Sequence, residues 1–232
     1  MFIGHYGVGF ALKKLEKRVS LGLLFLLVML PDILWDVFLL LGVEKANVIE
    51  GPIRINSLAP VYTPVSHSLL SNFILAVLIC FAFKVFNIVK FPVRAMIFLI
   101  AILSHFFLDF LVSPPELPLL FSGIKVGLGL GDHVLLSYLI EAGIFLLGIC
   151  LYFSTMRELN TGKTMGIGIL SLILLGLNFF ALTEKISLHV DLFAAFHLAL
   201  NAVVIGLAFW LDTGKTAAYD SSHRVSSVRN IV

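Results

Sequence analysis

Six apolar runs, each about as long as a membrane-crossing helix, constrain this chain most: 20–43, 68–89, 92–113, 133–154, 164–183 and 189–211. A helix rising about 1.5 Å per residue needs about 20 residues to cross a hydrocarbon core of about 30 Å. In lipid, every backbone N–H and C=O must find its partner within the protein, so isolated runs of this length specify helices. Pro92 opens the third run, Pro114-Pro115 closes it, and Asn160-Thr161-Gly162 parts the fourth from the fifth. The expected fold is all-α: a polytopic membrane helix bundle of about six spans forming one domain over 1–212. A polar, Ser-rich tail over 213–232 is expected to be disordered.

Composition agrees with that class. The 232 residues are 59% hydrophobic and only 13% charged, where soluble domains carry about 25% charged residues. A net charge of +2, without aromatic-basic interleaving, argues against a nucleic-acid partner. Cys80 and Cys150 fall inside apolar runs and read as small packing residues. The cluster Lys13, Lys14, Lys17 and Arg18 precedes a run that looks retained, as in a signal anchor. Six spans place twelve of the 16 Lys and Arg on one side and only Lys45, Arg54, Lys125 and Lys185 on the other. That asymmetry predicts cytoplasmic termini, with loops 44–66 and 114–132 facing outward.

Residues 2–12 are too short to span and too apolar for an ordinary tail. A surface helix would carry one charged face, but here charge begins only at Lys13, and Gly4, Gly7 and Gly9 permit close helix approach. A short N-terminal helix inserted among the spans is expected, with His5 buried.

Ionisable residues inside the runs carry the chemistry. His105 and Asp109 lie one turn apart on one helical face, at a cost of about 2.5–3.5 kcal/mol for a charge at membrane depth. Asp32 follows Pro31 in the first run, and His67 stands at the mouth of the second. Helix rise brings His5, Asp32, His105 and Asp109 to similar depth. Singly, each has an ordinary reading: a lone His is more often a packed core residue, Pro31-Asp32 can mark a structural break, and Ser66 reads as a helix N-cap beside a solvent-facing His67. Together, His5, Asp32, His67, His105 and Asp109 offer mixed imidazole and carboxylate ligands, suited to zinc, manganese or iron rather than calcium or magnesium.

Further residues are assigned around them. Asp36 is expected either as a further ligand or as a partner orienting a ligand histidine, and Glu141 as a partner of a ligand histidine, with Ser66 and Ser68 flanking His67. Lys125, in a glycine-rich loop running to Gly131, offers a cation and flexible amides to an anion. Asp132-His133 reads as a helix cap with a surface His, and His189 and His197 as packing or interfacial residues.

The stretches Phe2-Ile3-Gly4-His5-Tyr6-Gly7-Val8, Leu30-Pro31-Asp32, Ser66-His67-Ser68-Leu69-Leu70 and Leu103-Ser104-His105-Phe106-Phe107-Leu108-Asp109 occur in an order that resembles a known family. It is the bacterial membrane-bound, metal-dependent hydrolases of the YdjM-like type. The loop Pro115-Glu116-Leu117-Pro118-Leu119, continuing to Lys125–Leu130, is similar to one that a subgroup carries after its HxxxD span. The resemblance covers 1–142. It implies an inner-membrane location, a fold related to zinc-dependent phospholipase C and the single-strand nucleases, and His5, Asp32, His67, His105 and Asp109 as metal ligands. His133 and Asp36 gain no role from it.

The function expected is a metal-dependent hydrolase acting on a membrane lipid or small phosphoester. Zinc is the expected ion, and Asp32 or Asp109 the proton acceptor. The alternatives are a transporter or ion-conducting protein using the same buried cluster, and a non-catalytic bundle held by a structural metal.

Overall fold

The computed structural model describes residues 1–48, 58–86, 93–155, 160–183 and 189–212. The 213–232 tail and parts of four loops, Pro92 among them, lie outside them. Seven helices account for most of the described chain: α1 (Ile3–Leu15), α2 (Leu21–Leu40), α3 (Leu69–Val85), α4 (Val93–Val112), α5 (Val134–Thr155), α6 (Thr161–Thr183) and α7 (Val190–Asp212). Two short antiparallel ribbons interrupt them: β1 (Lys45–Val48) with β2 (Leu58–Tyr62), and β3 (Leu117–Pro118) with β4 (Lys125–Val126). Neither ribbon is marked in the sequence, where both segments read as loops.

Among the described residues, five helices are long and apolar enough to cross a membrane: α2, α4, α5, α6 and α7. Helix α3 is equally apolar but has 17 residues, about 25 Å of rise and at the short end of spanning lengths. The protein is a polytopic helical membrane protein.

Helix α2 is the central element. Half of its spanning window, 50%, is enclosed by protein, against 28% for each of α5, α6 and α7, which present Leu135, Leu139, Leu147, Leu172 and Trp210 outward as a lipid-facing surface requires. Ser20 caps α2, its hydroxyl accepting from the Leu23 amide at 3.2 Å. The helix runs unbroken through Pro31, so the proline costs the Leu27 carbonyl its usual donor without ending the helix. At α3 the cap is Ser68, which accepts from the Ser71 amide at 3.1 Å. This corrects the expectation for Ser66.

Helix α1 is inserted as expected. Its 13 residues pack against α5, α2 and α4, and Ile3, His5, Tyr6 and Phe10 are fully buried. Glycine makes that insertion possible. A Cβ on Gly7 would lie 2.7 Å from the Ile144 carbonyl oxygen, and one on Gly148 would collide with the Gly7 backbone. The two helices therefore cross almost backbone to backbone, as small residues allow in membranes. A Cβ on Gly9 would meet the Phe25 ring at 2.8 Å.

The opposite end of α1 is fixed by an enclosed ion pair. Lys13 is completely buried; its Nζ donates to Asp212 Oδ2 and to the Val19 carbonyl, both at 2.6 Å. Asp212 Oδ2 also accepts from the Leu21 amide at 2.7 Å. One carboxylate at the end of α7 thus ties the end of α1 to the first turn of α2. A charge pair so enclosed is costly to half-remove, which makes this a strong constraint on how α1 enters the bundle.

Candidate metal centre

Four segments deliver the five predicted ligands to one place. Helix α1 brings His5 from its first turn, α2 brings Asp32 just after Pro31, the turn before α3 brings His67, and α4 brings His105 and Asp109 on one face. His5 and His105 are fully buried; Asp32 is 8% and Asp109 5% exposed. The rings of His5 and His105 stack with centroids 3.9 Å apart and planes within 7°, and His67 meets His105 edge-on at 5.4 Å.

The polar atoms form a chain. His5 Nε2 stands 3.4 Å from Asp109 Oδ1, and His105 Nε2 3.1 Å from Asp109 Oδ2. Asp32 Oδ1 lies 3.4 Å from His105 Nε2 and 3.2 Å from His67 Nε2, and His67 Nε2 is 3.7 Å from Asp109 Oδ2. Two sets, His5–His105–Asp109 and Asp32–His67–His105, each gather their ligand atoms within 4.8 Å. Two atoms each about 2.0–2.1 Å from one ion at a tetrahedral angle lie about 3.3 Å apart, so these spacings suit a shared metal.

Tautomer and charge point the same way. His105 Nδ1 lies 2.8 Å from the Val28 carbonyl. A carbonyl only accepts, so the ring proton sits on Nδ1 and Nε2 turns a lone pair to the centre. Both nitrogens of His5, and Nε2 of His105, are buried without a hydrogen-bond partner. Buried polar atoms are seldom left so. With neutral imidazoles, Asp32 and Asp109 carry a charge of about −2, partly offset by the Met1 ammonium beside Asp109 Oδ1, and the remainder attracts a cation. The buried His/Asp groups can therefore hold a metal ion.

The surrounding assignments divide. Ser66 touches His67, its Oγ 2.7 Å from Nδ1. The Ser68 hydroxyl is spent on the α3 cap, donating to Ser71 Oγ at 2.7 Å. Asp36 does not reach the cluster: its carboxylate meets His197 Nδ1 at 3.0 Å. Nor does Glu141 orient a ligand histidine. It accepts from the Phe2 amide, and so supplies from α5 the cap that α1 lacks within its own sequence. The Met1 amino nitrogen lies 2.5 Å from Asp109 Oδ1.

Lys125 is exposed on β4. Two amides of the glycine loop are committed to protein, since Leu128 donates to the Phe110 carbonyl and Gly129 to that of Ser113, both at 2.8 Å. They finish the C-terminus of α4, so they are not free to receive an anion, contrary to the sequence reading. His133 is exposed at the start of α5, and His189 pairs with Asp191 on the surface, as anticipated.

Three features were missed in the sequence. His197 is the partner of Asp36, and Asn201 links it to the Tyr6 hydroxyl; the i, i+4 spacing of His197 and Asn201 was the available signal. Trp35 stands edge-on to His67 at 5.6 Å. Glu44, beyond the end of α2, is 2% exposed, and nothing in its sequence surroundings marks it.

The fold and this site define a polytopic helical membrane protein with an enclosed His/Asp centre able to bind a metal. No family model, curated protein or solved structure matches the chain.

Proposed function

We propose that the protein is a membrane-embedded, metal-dependent hydrolase of phosphoester or lipid substrates. The convergence of three imidazoles and two carboxylates, with buried Nε2 atoms left without hydrogen-bond partners, carries the reading. The nitrogen-rich donor set favours zinc, with manganese or iron next. When bound, such an ion supplies a Lewis acid that polarises an ester or phosphoryl group and acidifies water towards a pKa of about 7. His5 and His105, fully enclosed, anchor it. Asp32 and Asp109 retain slight exposure, and whichever carboxylate oxygen is not engaged as a ligand accepts the proton. His67, with its side chain 13% exposed, marks the side from which substrate approaches. The resemblance to YdjM-like hydrolases supports this reading and a bacterial inner-membrane location, and the Lys/Arg asymmetry supports cytoplasmic termini.

A structural metal is the second reading, favoured by the near-complete burial of the ligands, since structural sites are closed by protein. Elemental analysis of purified protein, combined with a panel of phospholipids and phosphate esters, separates the two. Bound zinc, manganese or iron with metal-dependent turnover supports the hydrolase. Stoichiometric metal without turnover of any panel member supports the structural role. Protein that carries none of these metals and takes none up sinks both.

A further inference from the structure

Glu44 lies between α2 and β1, yet its side chain is almost wholly enclosed. Three donors converge on its carboxylate. The Val65 and Ser66 amides reach Oε1 at 2.8 and 2.9 Å, and the Ser66 hydroxyl reaches Oε2 at 2.5 Å. The same hydroxyl oxygen stands 2.7 Å from His67 Nδ1, while His67 Nε2 faces Asp32.

A hydroxyl has one proton to give. Ser66 gives it to the carboxylate, which can only accept, and its oxygen is then left to accept from the His67 ring. The ring proton is drawn to Nδ1, and Nε2 presents its lone pair to the cluster. We infer that Glu44 is a positioning residue that sets the hydrogen-bond polarity of Ser66 and His67, making His67 a metal ligand rather than a donor. This rests on the metal-centre reading above. It extends the familiar carboxylate–histidine–metal arrangement by one hydroxyl.

Glu44→Gln isolates polarity from shape. The amide oxygen can still serve the two backbone N–H groups, but its nitrogen now donates to Ser66 Oγ. Ser66 then turns its proton onto His67 Nδ1, and the ring proton moves to Nε2, where it blocks ligation. The hydrogen bonds survive with their direction reversed, so the fold is retained and the ligand is lost.

The test is Co2+ titration of the purified full-length protein in detergent, by visible absorption and calorimetry. Wild type is compared with Glu44→Gln, Ser66→Ala and Ser66→Thr, with metal-free melting temperatures alongside. Glu44→Gln and Ser66→Ala are expected to bind about 10–100-fold more weakly, with altered absorption bands. Glu44→Gln should melt as wild type does, and Ser66→Thr, which keeps the hydroxyl, should restore binding. Undiminished affinity in both Glu44→Gln and Ser66→Ala overturns the relay and leaves the metal centre standing. A wild type that takes up no Co2+ overturns the metal reading and the relay with it. Should Glu44→Gln fail to fold, the Ser66 pair decides: equal affinities overturn the relay, and loss restored by threonine upholds it.

Discussion

His105 occupies the middle of the polar chain, within reach of both carboxylates, and its proton is fixed on Nδ1 by a backbone carbonyl. His105→Ala and Asp109→Ala are each expected to lose most of the bound metal, because each removes a shared donor and leaves the other ligands too few. Elemental analysis checks this, and full occupancy in both variants would contradict the proposed centre. Asp36 supplies the contrast. One turn beyond Asp32 on the same helix, it is committed to His197, and through that ring to the Asn201–Tyr6 pair. Asp36→Ala should therefore keep wild-type metal content while losing about 1–3 kcal/mol of stability, the cost of leaving a buried partner unsatisfied. Thermal melts and metal analysis on one preparation separate the two effects.

Among the elements, α1 is the one whose placement decides whether a site exists, since it carries His5 and is anchored at both ends. Glu141 caps its start and Asp212 holds Lys13 near its finish. Its crossing with α5 depends on Gly7 and Gly148. Gly148→Leu should force the helices apart, cost at least the about 1–3 kcal/mol typical of overpacking, and reduce metal binding although no ligand is changed. A variant with normal stability and full metal content would show that the crossing tolerates separation. In a background lacking Cys80 and Cys150, His5→Cys should resist a membrane-impermeant thiol reagent, and adding Gly148→Leu should expose it. Rapid labelling of His5→Cys alone would place α1 outside the bundle.

For the whole molecule, the proposed ion and the Lys/Arg asymmetry each make a prediction. Chelation should lower the melting temperature, because an ion that binds only the folded state stabilises by about 2.7 kcal/mol at 100 times its Kd. A melting temperature indifferent to chelator and to added metal would argue against a bound ion. The Lys/Arg asymmetry makes the second prediction, with cysteines placed on the two faces of the bundle. Lys125→Cys on β4 should label from outside intact cells, and Lys163→Cys at the start of α6 only after permeabilisation. The reverse pattern would invert the proposed orientation.

The helices, the inserted α1 and the five residues of the cluster were all legible along the chain. Long apolar runs leave the backbone no alternative to helix, and ionisable residues within them are too costly to be scattered without partners. Helix rise alone put four of them at one depth. Pairing among neighbours was not legible there and emerged with the packed bundle. Asp36 and Asp32 are equivalent by spacing, and which one meets the histidines depends on how α2 is rotated against α4 and α7. Glu141 faced a helix terminus rather than a histidine, the Leu128 and Gly129 amides closed α4 instead of awaiting an anion, and Ser66 yielded the α3 cap to Ser68. Glu44 was invisible because its contacts span more than twenty residues of chain. Periodicity reports which face a residue occupies, but hydrogen-bond partners across helices are fixed only when those faces are brought together.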